Sequence, residues 1–237
     1  MRKQQVFLQP VTDMNITEIE KQTAAREAVG YLKNNMIVGL GTGSTASYAI
    51  KEIGLRVKEG LDIKAVPTSE SSAELARSLL IPLIDINTID SIDITIDGAD
   101  EFTEDLKLLK GGGGALLREK IVATITNEEI IIADSKKLVS KLGKFKLPVE
   151  IIPFACRYIA NQTKAWKVNP VLRMQQDMPF TTDQGNYILD IDFGLIDDPA
   201  ALSNKLNQLE GVVAHGLFIG LAKKVIMGQG TGTILFA

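Results

Sequence analysis

The sequence contains very few of the residues that bind metals or form disulfides. Its 237 residues include one cysteine, Cys156, and one histidine, His215. A single cysteine cannot form an intramolecular disulfide, which fits a reducing cytoplasm, and the scarcity of both residue types argues against a zinc site. A lone histidine beside an apolar strand is more often structural than catalytic, so we predict a structural role for His215.

Long apolar runs and basic patches are also missing. No apolar stretch approaches the roughly 20 residues that a membrane-spanning helix needs, and residues 1–15 lack the apolar segment of a signal peptide. The 26 Lys and Arg residues are scattered among 29 Asp and Glu residues, and the net charge is −3. The sequence therefore argues against a membrane protein and against nucleic acid as a partner. Residues 1–15 read as a polar tail, and Met14 is an alternative start.

Short β-branched runs alternate with helical patterns through the first half of the chain. Strands are predicted at 36–40, 62–66, 92–96 and 130–133, and helices at 16–34, with Asn15 as N-cap, 46–57, 70–80 and 115–125. This order indicates an α/β fold, with a Rossmann-like parallel sheet covered by helices on both faces. The glycine-rich and polar segments nearly all follow strands, so we expect them at the carboxyl edge of the sheet, where ligands bind.

The pattern changes after about Phe145. Strands at 148–152, 168–174, 187–191 and 212–218, with helices at 155–166 and 199–209, follow the β-α-β-β-α-β order of a ferredoxin-like lobe. Segments 225–227 and 233–236 are predicted to return as edge strands of the first domain. We therefore predict a polar tail (1–15), a Rossmann-like catalytic domain (16–144 and 219–237) and a smaller α+β lobe (145–218).

The glycine-rich loop at 41–45, Gly-Thr-Gly-Ser-Thr, joins a predicted strand to a predicted helix. Backbone N–H groups at a helix N-terminus form an anion site, and the loop hydroxyls add donors. The loop also fits a loose dinucleotide fingerprint, but Thr68 and Ser69 stand where that fingerprint needs a ribose-binding acid. The Gly-Lys-Ser/Thr ending of an ATP-binding loop is missing too. A tight turn before a capped helix is the remaining alternative.

Three acids, Asp97, Asp100 and Glu101, follow the strand at 92–96. Carboxylates this close in sequence repel one another, which indicates a role beyond solubility. Such a loop suits magnesium, or proton transfer by paired carboxylates. A solvated acidic turn is the third interpretation.

Lys110 precedes four consecutive glycines at 111–114. Because such a run has a high entropic cost in a folded domain, we interpret it as a nest of N–H groups aimed at a developing oxyanion. Glu119, in the helix that follows, is then a candidate general base whose pKa burial would raise. The alternative for Glu119 is a solvent-facing acid paired with Arg118 or Lys120.

Taken in order, these loops resemble ribose-5-phosphate isomerases of type A, over nearly the whole chain from about Glu18 to the C-terminus. The resemblance rests on segments 38–46 (VGLGTGSTA), 67–69 (PTS), 97–101 (DGADE), 110–120 (KGGGGALLREK), 149–153 (VEIIP) and 215–218 (HGLF). The acidic loop, the lysine–tetraglycine loop and the Arg-Glu-Lys helix are very specific when they occur together in this order.

The resemblance implies interconversion of D-ribose 5-phosphate and D-ribulose 5-phosphate in the non-oxidative pentose phosphate pathway, with no metal or other cofactor. It makes Glu119 the base that moves a proton between C2 and C1, and it assigns ring opening and hydroxyl proton transfer to Asp97. Asp100 and Lys110 would orient and polarise the substrate. The implied substrate-binding residues are Thr42, Gly43, Ser44, Thr45, Asp97, Gly98, Ala99, Asp100, Lys110, Gly111, Gly112, Gly113, Lys137 and Lys21. Relatives also suggest a homodimer or homotetramer.

One departure from the family concerns the lysines that follow the strand at 130–133. The family usually shows Asp-x-Ser-Lys, whereas this chain has Asp-Ser-Lys-Lys at 134–137. Alignment on the Leu-Val pair that follows makes Lys137 the substrate lysine, and alignment on the serine would favour Lys136. The residues at 134–137 by themselves are also compatible with an ordinary helix start.

Two alternative functions are compatible with a sheet of this type: an amino-sugar phosphate deaminase and a non-catalytic sugar-phosphate sensor. An amino-sugar phosphate deaminase is expected to use a histidine near the acids, whereas His215 is distant in sequence. A non-catalytic sugar-phosphate sensor would keep the phosphate loop but would not need Glu119 or Lys110. The presence of both residues favours an enzyme.

Overall fold

The β-branched runs form strands whose side chains are almost completely buried. In the strand Ile92–Gly98, Ile92, Ile94 and Ile96 are at most 1% exposed, and the strand Thr126–Asp134 contains three consecutive isoleucines that are fully buried. Successive side chains of a strand point to opposite faces, so a continuous buried run requires other elements on both sides of the sheet.

The computed structural model describes residues 14–237. Its helices are α1 (Met14–Val29), α2 (Ser44–Lys58), α3 (Glu70–Ser78), α4 (Leu116–Thr124), α5 (Cys156–Lys164) and α6 (Pro199–Asn207). Its strands are β1 (Met36–Leu40), β2 (Ile63–Pro67), β3 (Ile92–Gly98), β4 (Glu101–Phe102), β5 (Leu108–Leu109), β6 (Thr126–Asp134), β7 (Leu147–Ile151), β8 (Asn169–Leu172), β9 (Met174–Gln175), β10 (Met178–Pro179), β11 (Tyr187–Asp192), β12 (Val212–His215), β13 (Leu217–Phe218), β14 (Lys224–Gln229) and β15 (Gly232–Phe236). No helix in this part of the chain has both the length and the apolar character needed to cross a bilayer.

Six strands form the central sheet in the order β15-β14-β6-β3-β1-β2. Every neighbouring pair is parallel except β14 with β15. On one face, Ala28 of α1 and Ile50 of α2 pack in one cluster with Ile94. On the other face, Val122 of α4 packs with Val66. The predicted α/β class, with a mostly parallel sheet covered by helices, is confirmed.

The C-terminal strands and the first helix differ from the predictions in detail. β14 inserts between β6 and β15, so of the two C-terminal strands only β15 lies at an edge of the sheet. The consecutive residues Val225 to Met227 are buried because other elements cover both faces of the sheet at β14: Ile226 packs in the cluster with α1 and α2, and Val225 and Met227 pack in a cluster with Phe218. Helix α1 includes Met14 and Asn15, so Asn15 is not its N-cap. The helix ends at Val29, just before Gly30, because glycine weakens a helix.

A second, fully antiparallel sheet has the order β12-β7-β11-β8, with α5 and α6 packed against it. These elements follow the predicted β-α-β-β-α-β order. The predicted strand at 212–218 is divided at Gly216, after which β13 pairs with β5 in a separate three-stranded sheet. A Cβ at Gly216 would lie 2.3 Å from the carbonyl oxygen of Lys110, so only glycine fits where the chain passes between the sheets. The domain boundaries themselves stay a prediction.

Candidate active site

Three loops meet at the carboxyl edge of the central sheet. The loop at 41–45 follows β1, the acidic loop lies at the end of β3, and the loop at 110–114 leads from β5 into α4. The pocket between them is lined by Thr42, Gly43, Ser44, Thr45, Gly98, Ala99, Asp100, Lys110, Gly111, Gly112, Gly113, Glu119 and Lys137. Of the predicted site residues, Asp97 lies beneath this lining, and Lys21 lies in an adjoining depression that shares Ser44, Asp100 and Lys137.

Helix α2 begins at the pocket without a side-chain cap. Gly43 precedes the first turn with a φ of 101°, a left-handed conformation that favours glycine. Among the described residues, no side chain caps the N–H groups of the first turn. Lys21 Nζ lies 3.3 Å from Ser44 Oγ, beside this helix start. Open N–H groups, the positive end of the helix dipole and a nearby ammonium group together suit a phosphate.

A cluster of hydroxyl groups holds the side chain of Thr42. Its Oγ1 lies 2.7 Å from Thr68 Oγ1 and 2.8 Å from Ser69 Oγ, and Ser72 Oγ donates to the carbonyl oxygen of Gly41 at 2.7 Å. Thr68, Ser69 and Ser72 were not predicted as site residues. Only the pairing of β1 with β2 brings them beside Thr42.

Asp97 is the buried centre of the site, with 1% of its surface exposed. Its Oδ1 accepts hydrogen bonds from the N–H groups of Thr42 at 3.0 Å and Gly98 at 2.7 Å, and its Oδ2 lies 3.0 Å from Lys110 Nζ. A Cβ at Gly41 would lie 2.1 Å from Asp97 Oδ1, so glycine is required for this close approach. Asp97 therefore connects the acidic loop to both of the other loops.

Lys110 lies in close contact with the buried carboxylates of both Asp97 and Glu119. Its Nζ also donates to the carbonyl oxygen of Gly98 and lies 3.6 Å from Glu119 Oε1. Burial alone would lower the pKa of Lys110, but the carboxylates of Asp97 and Glu119 outweigh it and raise that pKa. The ammonium group therefore stays charged at physiological pH.

Glu119 projects from the first turn of α4 into the pocket and is 5% exposed. Its Oε2 has no hydrogen-bond partner among the described residues. Burial, opposed by Lys110 and reinforced by Asp97 and Asp100, raises the pKa of Glu119 to about 8. The alternative of a solvent-facing acid paired with Arg118 or Lys120 is wrong, because α4 turns Glu119 inward.

The glycine loop is held by partners on two sides. The N–H of Gly112 donates to Asp100 Oδ2 at 2.7 Å, whereas the N–H of Gly113 has no acceptor within residues 14–237. Arg173, which follows β8 of the antiparallel sheet, donates to the carbonyl oxygen of Gly111 at 3.0 Å. Arg173 was not predicted, because a contact to a backbone carbonyl leaves no signal in sequence spacing.

The two candidate lysines have different positions. Lys137 lines the pocket, whereas Lys136 lies only in the adjoining depression. Asp134 accepts from the N–H of Lys136 at 3.1 Å and caps the short 3-10 turn Ser135–Lys137. Of the two lysines, Lys137 is therefore the one that lies in the pocket between the three loops.

The three carboxylates of the acidic loop each contact a different protein group. Asp97 faces Lys110, Asp100 accepts from Gly112, and Glu101 accepts from the N–H of Gly143 at 2.7 Å. No group of three or more His, Cys, Asp or Glu side chains suited to a metal occurs in residues 14–237. The three carboxylates have separate structural partners.

His215 lies outside the pocket and is buried. Its Nε2 is 3.2 Å from Ser203 Oγ and 3.1 Å from Asn207 Oδ1, and its carbonyl oxygen accepts from Lys120 Nζ at 2.6 Å. These contacts join α6, β12 and α4, which supports the structural role predicted for the histidine.

Comparison with known proteins gives consistent matches. A model of the family ribose 5-phosphate isomerase A (phosphoriboisomerase A) matches residues 64–232. Over 213 residues the chain is 50% identical to ribose-5-phosphate isomerase A of Bacillus mycoides (strain KBAB4). The aligned region covers 90% of this chain and 96% of that relative.

Solved structures agree with the sequence match. A D-ribose-5-phosphate isomerase in complex with phospho-erythronic acid superimposes with a TM-score of 0.90 at 40% identity, covering 94% of this chain and 99% of that chain. The ribose 5-phosphate isomerase A of Methanocaldococcus jannaschii gives a TM-score of 0.87 at 39% identity, covering 92% and 97%. The similarity therefore includes both sheets and the loops between them.

Proposed function

Because the chain belongs to the ribose-5-phosphate isomerase A family, whose members are aldose–ketose isomerases of pentose phosphates, we propose that it converts D-ribose 5-phosphate through an enediolate with Glu119 as the base. The observation that carries this proposal is the buried Glu119 carboxyl group on the pocket wall, with one oxygen unpartnered and the other 3.6 Å from Lys110 Nζ. A pKa of about 8 allows this group both to take up and to release a proton near neutral pH.

The substrate phosphate binds at the uncapped start of α2. The N–H groups there, the hydroxyls of Ser44 and Thr45, and the ammonium groups of Lys21 and Lys137 surround one end of the site. The phosphate thereby directs the carbonyl end of the sugar toward Glu119, which lines the same pocket.

In this proposal, Glu119 and Asp97 carry out the proton transfers. Glu119 removes the proton from C2 of the open-chain aldose, and the electron pair forms the C1–C2 double bond as negative charge develops on O1. Lys110 and the loop at 111–113 stabilise that oxygen. Asp97, together with Lys110, opens the sugar ring and moves the proton between O2 and O1. Glu119 then returns its proton to C1, which leaves the ketose.

Phospho-erythronic acid is a suitable probe because a relative binds it. Its phosphate would occupy the α2 site, and its carboxylate would present to the glycine loop the charge that the enediolate develops. We expect Glu119→Gln to reduce kcat for ribulose 5-phosphate formation by about 10²- to 10⁴-fold while phospho-erythronic acid still binds. Glu128→Gln, which removes a carboxylate paired with Lys224 away from the pocket, is the matched control and should retain normal turnover.

Glucosamine 6-phosphate tests the deaminase alternative in the same assay. We expect no ammonia release from this substrate. Near-normal turnover of ribose 5-phosphate by Glu119→Gln would contradict the assignment of the base, and failure of the native protein to form ribulose 5-phosphate would contradict the function itself.

Assembly, location and domain division remain part of the proposal. We expect a homodimer or homotetramer, which light scattering at micromolar concentration can measure. The cytoplasmic location expected from the cysteine content and the domain boundaries at 144/145 and 218/219 also stay predictions.

A further inference from the structure

Arg173 approaches the glycine loop from the antiparallel sheet, on the side away from the pocket lining. It follows β8, and its side chain is 14% exposed. Its Nε and Nη2 form a bidentate pair with the carboxylate of Asp190 on β11, at 2.9 and 2.5 Å. Such a pair fixes the plane of the guanidinium group and leaves Nη1 to point in a defined direction.

The third nitrogen is directed at the glycine loop. Nη1 of Arg173 donates to the carbonyl oxygen of Gly111 at 3.0 Å and to that of Gly112 at 3.2 Å. The ring of Phe180 packs over the same guanidinium group, 5.8 Å from its centre, and also against Gly114, where a Cβ would lie 2.5 Å from the ring. Arg173 and Phe180 therefore both pack against the glycine loop.

Peptide planarity connects this contact to the pocket. In a trans peptide the carbonyl of one residue and the N–H of the next point in opposite directions. With the Gly111 carbonyl directed at Arg173, the N–H of Gly112 must point away, and it donates to Asp100 as expected. With the Gly112 carbonyl also directed at Arg173, the N–H of Gly113 must likewise point away from Arg173. Gly113 lines the pocket, and its N–H has no acceptor within residues 14–237.

The loop needs such support because glycines do not hold a conformation by themselves. Gly111 and Gly114 both have left-handed φ values, 101° and 81°, and glycine loses more backbone freedom on folding than any other residue. The loop carries no side chains that could pack against the domain. Within the loop, the N–H of Gly114 donates to the carbonyl oxygen of Gly111 at 3.1 Å. The Gly112 N–H and the Gly112 carbonyl are held from outside the loop, by Asp100 and Arg173 respectively.

We propose that Arg173, oriented by Asp190, is a positioning residue that turns the Gly111 and Gly112 carbonyls away from the pocket and so presents the Gly113 N–H to the enediolate oxygen. This inference rests on the proposed isomerase function. Arg173 does not contact the substrate, so it acts on the transition state through the loop and leaves the phosphate site unchanged.

Steady-state kinetics of Arg173→Lys and Arg173→Gln test this role. Direct removal of an oxyanion donor costs about 10²- to 10³-fold in kcat, so a misaligned donor should cost about 10- to 100-fold. We expect that loss in kcat, with KM for ribose 5-phosphate and inhibition by inorganic phosphate within about threefold of the native values. Asp190→Asn should lose about three- to tenfold, since the guanidinium group remains but its orientation is less restricted.

Chemical rescue separates positioning from a general structural role. In Arg173→Ala, added guanidinium should recover part of kcat without changing KM, whereas methylammonium, which lacks the planar donors, should not. Lys141→Gln removes the contact of Lys141 with Asp197, away from the glycine loop, and serves as a control that keeps native kinetics. If the alanine variant does not fold, the lysine and glutamine variants decide the result.

Three results would overturn the inference. They are a folded Arg173→Lys or Arg173→Gln variant with native kcat, a defect confined to KM, or an alanine variant that responds equally to both amines. These outcomes are distinct from failure of the proposed function, which would appear as absent ribose 5-phosphate turnover in the native protein.

Discussion

Replacing Glu119 by glutamine should stabilise the folded protein at alkaline pH while it removes activity. Burial raises the pKa of Glu119 from 4.5 to about 8, and glutamine keeps the shape of the protonated side chain but cannot ionise. Below pH 4.5 the acid is protonated in the folded and unfolded states alike, so the variant and the native protein should be equally stable. Between pH 4.5 and 8 the unfolded chain releases the proton while the folded protein keeps it, so native stability falls as pH rises.

The size of the effect follows from the same values. The rise in pKa from 4.5 to about 8, at about 1.4 kcal/mol for each pH unit, gives an upper limit of about 5 kcal/mol above pH 8. A buried, unpaired carboxylate oxygen is the physical origin of that penalty. The protein would therefore retain Glu119 for catalysis at the expense of stability.

Urea unfolding at intervals from pH 5 to 9 measures this difference. The free energy of unfolding of Glu119→Gln minus that of the native protein should grow from pH 5 to about pH 8 and then level off. The same substitution at the partly exposed Glu128 should show no comparable rise. A difference that stays flat, or a variant less stable than the native protein at every pH, would refute the argument that burial keeps Glu119 protonated.

Two further predictions concern catalysis. For native protein, log kcat/KM for ribose 5-phosphate should rise with a slope of about one up to pH about 8 and then level, because the base must be ionised; a profile flat from pH 6 to 9 would contradict this. Activity should also survive exhaustive treatment with EDTA, because the carboxylates of Asp97, Asp100 and Glu101 bind protein groups. Loss of activity that magnesium restores would support the metal interpretation of the acidic loop.

The fold class was predictable because apolar periodicity reports burial. The alternating isoleucines of β3 and the isoleucine run of β6 indicate strands covered by other elements, and the helical patterns between them require parallel pairing. Periodicity does not report which strand lies beside which. The insertion of β14 next to β6 depends on pairs such as Lys224 with Ile130, which are far apart in the chain.

The site residues were predictable where a short segment has an unusual composition that would destabilise the folded protein and is therefore best explained by a function. Clustered acids, a tetraglycine run and an uncapped glycine-rich helix start belong to this class, and all of them line or adjoin the pocket. Ser72 and Arg173 escaped prediction for the opposite reason. Each is an ordinary residue in its own segment, and its role exists only through a backbone carbonyl from another segment.

The sequence by itself determined the chemical groups available to this protein: a carboxyl group on an early helical turn, a lysine before a glycine run, and hydroxyls at a helix start. Tertiary structure alone decided what those groups do. The pKa of Glu119 depends on its burial and on its distances from Lys110, Asp97 and Asp100, and these exist only after α4 has packed against the sheet. The direction of each glycine N–H depends likewise on the partner that binds the neighbouring carbonyl. Desolvation and charge interactions depend on distances in space, and the order of residues does not specify those distances until the chain has folded.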